Sequence, residues 1–174
     1  MMETLQSVLN FTDMFYAEIL EETHDHLENS FVSPFNIFTA LGMVLVGSEG
    51  NTKAEMIRVM QLSNHTEIDK IHNGFNELMT KCSEAGKGVD IILGSRLFTR
   101  KDMDIKEHFR NILKKHYNAI VENVLFQTDP ESARIRINQW VSEQTNGKIQ
   151  QLIPPKSLKN DTSAVVVSTT YFRG

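Results

Sequence analysis

One segment near the end of the chain narrows the folds available to it more than any other. Residues 164–172 read Ala-Val-Val-Val-Ser-Thr-Thr-Tyr-Phe, a near-continuous run of β-branched and aromatic side chains. Because apolar residues stand at consecutive positions, the run predicts a strand that is buried on both faces. Such a strand needs neighbouring strands on both sides, yet the chain stops shortly after it, at Gly174. We therefore expect residues outside this chain to complete the sheet.

The rest of the sequence predicts an α+β domain in which helices come first and strands are separated by helices later. Apolar residues at the spacing of one helix face indicate the helices, and alternating or continuous apolar runs indicate the strands. The predicted helices are residues 4–27, 34–46, 52–60, 66–83, 105–117 and 129–145, and the predicted strands are residues 89–99, 119–126 and 164–172. A length of 174 residues is typical of one domain.

Three of the predicted helices begin with recognisable capping residues. Ser33 precedes Pro34, and Asp129 precedes Pro130, which combines a side chain that caps well with a proline suited to the first helical position. Residues 52–55 read Thr-Lys-Ala-Glu, the pattern of a capping box. The helix that follows Pro34 is apolar almost all round, so we expect it to be central and buried.

The charge and composition argue against several classes of partner. The net charge is −4, which gives no case for nucleic acid. The basic residues on the predicted helix 105–117 and its start are interpreted as a solvated face: Lys106, Arg110, Lys114 and Lys115. No apolar run approaches the roughly 18 residues of a membrane span. The first residues lack the features of a signal peptide. We expect no membrane partner, and a protein that is cytoplasmic or exported to the extracellular space without a leader.

The sequence contains no motif that points to an enzyme, a cofactor or a metal. Walker, Gly-x-Gly-x-x-Gly, EF-hand and Gly-x-Ser-x-Gly patterns are all missing, so we predict no catalytic residue and no cofactor. Cys82 is the single cysteine, which excludes an internal disulfide. His24 and His26 stand among acidic residues at a predicted helix end and are interpreted as solvated surface, not as metal ligands. Asn-x-Ser/Thr sequons occur at Asn10, Asn64 and Asn160, and their use is left open.

Several motifs, in this order and spacing, resemble the amino-terminal half of a serpin over residues 5–174. They are Asn-Ser-Phe-Val-Ser-Pro-Phe-Asn-Ile at 29–37, Ala-Leu-Gly-Met-Val at 40–44, Gly-Ser-Glu-Gly-Asn-Thr at 47–52, Ile-Asn-Gln-Trp-Val at 137–141, Thr-Asn-Gly-Lys-Ile at 145–149 and Tyr-Phe-Arg-Gly at 171–174. The resemblance implies an α+β serpin-like fold, in which amino-terminal helices pack on part of a large central mixed β-sheet. It implies that residues 1–174 are the amino-terminal part of a single serpin domain.

The resemblance also implies a function. A complete serpin inhibits serine proteases, and sometimes cysteine proteases, as a suicide substrate with a metastable fold. Its exposed reactive loop is cleaved and inserts into the central sheet as a new strand, and the acyl-enzyme is trapped. That loop lies in the carboxy-terminal half, outside this chain, so the target protease is not specified here. The helix 129–145 corresponds to the one that lies across the sheet, with Trp140 as its anchor.

Polar positions where the sheet opens, called the shutter, depart from the family pattern. Serpins usually have Ser-Pro-x-Ser at the start of the buried helix and asparagine in the strand before Tyr-Phe-Lys-Gly. This chain has Ser33 and Asn36 at the helix start and Ser168 in the strand. We predict that Asn36 and Ser168 have exchanged roles, so that one amide and one hydroxyl still face each other.

Two alternatives to inhibition remain open at this point. The protein could be a non-inhibitory serpin relative, such as a storage or chaperone-like binder, or an inactive truncated product.

Some serpins bind heparin through the helix that corresponds to residues 66–83. The polar face of that helix carries mixed charges in this chain, so we expect no strong heparin site. The lack of a leader resembles the intracellular, ovalbumin-like branch of the family.

Overall fold

The computed structural model describes residues 2–22, 32–62, 68–84 and 90–173. They form helices α1 (Met2–Glu22), α2 (Pro34–Val46), α3 (Gly50–Val59), α4 (Ile68–Ser83), α5 (Glu107–Tyr117) and α6 (Pro130–Gln144), and strands β1 (Asp90–Arg100), β2 (Ile120–Val124) and β3 (Ala164–Arg173). The type and order of these elements confirm the prediction. The chain divides into two compact units, residues 1–78 and residues 79–174.

The core of the first unit is built on aromatic rings from three helices. The ring of Phe38 on α2 lies 5.4 Å from Phe11 on α1 and 5.1 Å from Phe75 on α4, measured between centroids. All three side chains are buried. Aromatic pairs at this separation add to the stability gained from removing their apolar surface from water. The rings therefore tie α1, α2 and α4 together.

Helix α2 begins as the sequence predicts. Its cap is Ser33, whose hydroxyl accepts a hydrogen bond from the backbone N–H of Asn36 at 3.4 Å. Pro34 is the first residue of the helix. The expectation that the helix is buried all round is only partly right. Phe38, Met43 and Leu45 are buried, but the Val44 side chain on the other side is 43% exposed.

Helix α3 begins earlier than predicted, so the capping box at residues 52–55 is a wrong interpretation. The helix starts at Gly50, and its cap is Glu49, which makes no side-chain cap hydrogen bond. Gly50 has a φ of +57°, a left-handed conformation that glycine adopts without strain. The chain therefore enters the helix two residues before Thr52, and the Thr52 hydroxyl is no longer at a capping position.

Helices α1 and α4 approach closely where Gly74 faces Thr4. A Cβ atom at Gly74 would lie 1.9 Å from the Thr4 hydroxyl oxygen and 2.6 Å from its Cβ. We expect Gly74→Ala to lower the free energy of unfolding, because overpacking typically costs about 1–3 kcal/mol. The gain in helix propensity is only about 1 kcal/mol. Chemical denaturation measures the difference. A Thr4→Gly change should cost less in the Gly74→Ala protein than in the wild type, and equal costs would contradict the contact.

The second unit contains a three-stranded mixed sheet with the order β2-β1-β3. Strand β1 pairs with β2 in parallel and with β3 in antiparallel orientation. Strand β1 is covered on both faces where Leu97 and Phe98 are buried, as predicted, but not near Ile92. Strand β2 is shorter than the predicted 119–126, because the chain turns after Val124 and the N–H of Asp129 bonds back to the carbonyl of Leu125.

Strand β3 is less buried than its composition predicts. Val167 and Thr169 are buried, whereas Phe172 is 65% exposed. The expectation of burial on both faces is therefore wrong for the described residues. The physical reason is that β1 is its one strand partner in the described part of the chain. An apolar strand with one neighbour leaves part of its surface in contact with water.

Helix α6 lies across one face of this sheet. Asp129 caps it, since its side chain accepts a hydrogen bond from the N–H of Ser132 at 2.9 Å. The helix and the sheet share one hydrophobic cluster, which consists of Phe98, Val124, Phe126, Ala133, Ile137, Trp140, Val141 and Val167. This packing defines an α6 face of the sheet and an opposite face.

Candidate functional site

The candidate site is the sheet of the second unit together with the helix that covers it. Trp140 lies at the centre of the α6 face. Its side chain is 3% exposed, and its ring meets the ring of Phe98 on β1 edge-on at 5.9 Å. Ile137 and Val141, which flank it on the same side of α6, are fully buried. These contacts place the Trp140 ring between α6 and the sheet. Its role as the anchor of the helix remains a prediction.

The opposite face carries a pair of serine hydroxyl groups. Ser95 on β1 and Ser168 on β3 are direct partners in the antiparallel register. Their Oγ atoms lie 3.3 Å apart, and either can donate the hydrogen bond. Side chains alternate along a strand, so Ser168 points away from the α6 face that holds Val167. The sequence singles out Ser168 but misses its partner Ser95.

The other two shutter candidates belong to the first unit. Ser33 and Asn36 stand at the start of α2, joined by the capping hydrogen bond, and both are half-buried. The structure thus brings Ser33 together with Asn36, and Ser168 together with Ser95. The exchange of roles between Asn36 and Ser168 stays a prediction.

An ion cluster that the sequence does not predict links α6 to two strands. Glu122 on β2 accepts hydrogen bonds from Arg96 on β1 at 2.5 Å and from Arg136 on α6 at 2.7 Å and 3.0 Å. A charge in a half-buried strand is stable only when it is paired. Arg96 and Glu122 interrupt apolar stretches of β1 and β2, and this interruption is the signal that could have revealed the pair.

The guanidinium group of Arg96 also packs against aromatic rings. Its central carbon lies 5.0 Å from the centre of the Trp140 ring and 6.0 Å from that of Phe98. A cation held over an aromatic face is attracted by the ring quadrupole. The Nε atom of Arg96 is buried and has no hydrogen-bond partner among the described residues. The Arg96 charge therefore depends on Glu122 and on the rings beside it.

A second group of polar contacts fixes the segment that follows α6. The Asn138 side-chain amide donates to the carbonyl of Ile153 at 2.9 Å and accepts from its N–H at 2.8 Å. Arg134 donates to the same carbonyl at 3.1 Å. Arg134 also pairs with Glu131, and this hydrogen bond lowers the pKa of the Glu131 carboxyl group. Asn138 is part of the motif at 137–141, but the sequence does not indicate its partner.

The basic residues around α5 are not one solvated face. Arg110 is half-buried, and its guanidinium group donates to the carbonyls of Ile105 and Val121 and to the side chain of Asn123 at 3.3–3.5 Å. These bonds hold α5 against β2, so the interpretation of Arg110 as solvated is wrong. Lys114 and Lys115 are exposed, as expected.

The remaining candidate residues add no further site. Within the described ranges, no group of three His, Cys, Asp or Glu side chains could hold a metal ion, and His24 and His26 lie outside those ranges. No described helix has the length and apolar character required to cross a bilayer. Of the sequons, Asn10 lies within α1, Asn160 lies in an exposed turn, and Asn64 lies outside the described residues. Cys82 is a half-buried free thiol.

The family model and the relatives that this chain matches all belong to one family. A family model described as Serpin (serine protease inhibitor) matches residues 6–174. Serpin B6 of Pongo abelii is 37% identical over 150 residues, which are 86% of this chain and 40% of that protein. Leukocyte elastase inhibitor of Bos taurus is 37% identical over 151 residues, 87% of this chain and 39% of that protein. The chain therefore spans about two-fifths of the length of these relatives.

The fold matches solved structures as well. Ovalbumin from emu (Dromaius novaehollandiae) superposes with a TM-score of 0.90 at 26% identity, over 99% of this chain and 47% of that one. The similarity confirms the predicted α+β fold of helices and a partial mixed sheet. It also confirms the resemblance inferred from the motifs. The chain belongs to the serpin family.

Proposed function

We propose that the protein containing this chain inhibits a serine protease by the serpin trapping mechanism. The loop is cleaved and enters the central sheet as a new strand, and the acyl-enzyme is carried with it. The observation that carries the proposal is the match of residues 6–174 to the serpin family model, together with the pairing of one edge of β3 with β1. In a trapping mechanism, the new strand pairs with the other edge of β3.

The proposal extends to the parts of the molecule that this chain supplies. Residues 1–174 form the amino-terminal part of one serpin domain, and they supply part of the sheet and α6. The reactive loop, and with it the choice of target protease, lies elsewhere in the protein. A relative named leukocyte elastase inhibitor supports the general class of partner, a serine protease. The mixed charges on α4 give no support to a heparin partner.

The polar shutter is part of the same proposal. Ser168 and its partner Ser95 lie in the middle of the β1–β3 pair, on the face opposite to α6. The hydrogen bond between these two hydroxyl groups supports the register of β1 and β3 without apolar side chains at this point of the face. Ser33 and Asn36 supply the polar groups at the start of α2. Each pair is a candidate for the polar positions at which the sheet adjusts to an additional strand.

A second candidate is a non-inhibitory serpin relative of the storage or chaperone-like kind. The substitutions at Asn36 and Ser168 favour it, because they change the polar positions that serpins usually keep where the sheet opens. In such a protein the loop is cleaved like an ordinary substrate, and no strand is inserted.

The two candidates differ in one measurable product. The complete protein is mixed with trypsin-like, chymotrypsin-like and elastase-like proteases, and the products are separated in SDS. Inhibition by trapping predicts a covalent complex whose mass is close to the sum of the two proteins. A protease whose active-site serine has been chemically blocked is the control and should give no complex. Loop cleavage by all three proteases without any complex would refute the proposal and support the second candidate.

A further inference from the structure

The ion cluster of Arg96, Glu122 and Arg136 is the strongest feature that the trapping proposal does not explain. Each residue comes from a different element: β1, β2 and α6. Both oxygen atoms of the Glu122 carboxylate are used. Oε1 accepts from Nε of Arg136, and Oε2 accepts from Arg96 and from a terminal nitrogen of Arg136. One carboxylate thus joins the covering helix to two strands of the sheet.

The burial of the three side chains decides which of them can leave. The Arg96 side chain is 17% exposed and lies beneath α6, whereas that of Arg136 is 36% exposed. Hydrogen bonds between charged groups are worth more than neutral ones, and more still where water is partly excluded. Arg136 can reach solvent if its bonds break, while Arg96 stays under the helix. The weak point of the cluster is therefore the bond between α6 and β2.

The same helix also covers β3. Val167 of β3 is the register partner of Arg96 and is buried in the hydrophobic cluster with Trp140. If β3 moves to accept a new strand, it moves beneath α6. The resistance of α6 to that movement includes the apolar contacts of Trp140 and the ionic contacts of Glu122.

We propose that the Arg96–Glu122–Arg136 cluster holds α6 on the sheet and sets the rate at which β3 can move to admit a further strand. These residues are positioning residues, since the proposal has them act through α6 and not on the protease. The claim about the movement of β3 rests on the proposed trapping function, whereas the claim that the cluster holds α6 on the sheet does not.

The chemistry of the cluster suggests a specific change. Two guanidinium groups and one carboxylate carry a net positive charge, so Glu122 neutralises a repulsion between Arg96 and Arg136. Glu122→Gln keeps the size of the side chain and removes its charge. The two cations then repel each other, and Arg136, the more exposed of them, turns to solvent. We expect α6 to loosen from the sheet while the apolar contacts of Trp140 keep the unit folded.

The experiment compares backbone hydrogen exchange in the complete protein and two variants. Glu122→Gln is expected to speed exchange of α6 amides about ten-fold or more, because it removes charge-assisted hydrogen bonds. Glu131→Gln is the matched control. It removes an equal charge from a carboxylate whose ion pair, with Arg134, lies within α6 and whose other hydrogen bond comes from the backbone of Lys156, after the helix. Unchanged α6 exchange in Glu122→Gln, or an equal rise in Glu131→Gln, would overturn the proposal.

Arg136→Gln is a second variant that keeps the test possible if Glu122→Gln fails to fold, because it leaves the Arg96–Glu122 pair intact. It should also speed α6 exchange, and the two changes together should have less effect than the product of the separate effects. Separate effects that multiply in full would show that the residues do not act as a unit and would overturn the proposal.

The rate of trapping provides the readout that a purely structural role would not change. With a protease that the wild type traps, Glu122→Gln should form the covalent complex faster and yield less cleaved, unreacted inhibitor. Faster α6 exchange with an unchanged ratio of complex to cleaved product would overturn the claim about β3. If the wild type forms no complex with any protease, the proposed function fails, and the exchange data alone decide whether the cluster holds α6.

Discussion

The Trp140→Ala variant is expected to lose about 3–5 kcal/mol of unfolding free energy in the second unit. Trp140 is 3% exposed, and it contacts both the Phe98 ring and the Arg96 guanidinium group. Alanine would leave a cavity between α6 and the sheet and would remove the aromatic face beneath the Arg96 charge. Urea unfolding followed by far-UV circular dichroism measures the loss.

Two controls make this prediction specific to the Trp140 site. Trp140→Phe retains an aromatic ring and should recover a large part of the lost stability. Ile135→Ala changes an exposed residue of the same helix and should alter stability by less than about 0.5–1 kcal/mol. A Trp140→Ala protein as stable as Ile135→Ala would show that the ring does not anchor α6.

A loss of similar size, about 3–5 kcal/mol, is expected for Phe38→Ala in the first unit. Phe38 has no exposed surface, and its ring bridges Phe11 and Phe75. Removing it leaves a cavity where three helices meet and separates two aromatic pairs at once. The lower midpoint of urea unfolding reports the change, with an unchanged slope if the transition stays two-state.

Val44→Ala is the matched control for Phe38, because it lies on the same helix and its side chain is 43% exposed. It should cost well under 1 kcal/mol. Equal losses of unfolding free energy in the two variants would show that the Phe38 ring contributes no more to stability than an exposed side chain of the same helix. That result would contradict the aromatic core.

The sequence predicts features that depend on neighbours along the chain. Ser33 before Pro34 and Asp129 before Pro130 both cap helices as expected, since capping is decided within a few residues. The capping box at 52–55 fails for an equally local reason: Gly50 can adopt a positive φ, and the helix starts there. A pattern of four residues does not reveal that a preceding glycine offers an earlier start.

Features that depend on distant partners are the ones the sequence misses. Arg96 and Glu122 are 26 residues apart, and their pairing follows from the parallel register of β1 and β2. The burial of β3 is overestimated for the same kind of reason. Composition predicts how a strand would be buried in a complete sheet, but the number of its neighbours decides how much surface is covered. Trp140 could be placed in advance because the family motif at 137–141 marks its helix.

The double hydrogen bond between Asn138 and Ile153 has a mechanical consequence. It fastens the connecting segment to α6 about halfway along its length, and the N–H of Arg100 holds the carbonyl of Ser163 at the far end. Slack in that segment is confined to the short stretch between Ile153 and Ser163. The connection up to Ile153 therefore moves with α6, whereas its end at Ser163 is held by β1, so a displacement of α6 reaches the first residues of β3 only through residues 154–162.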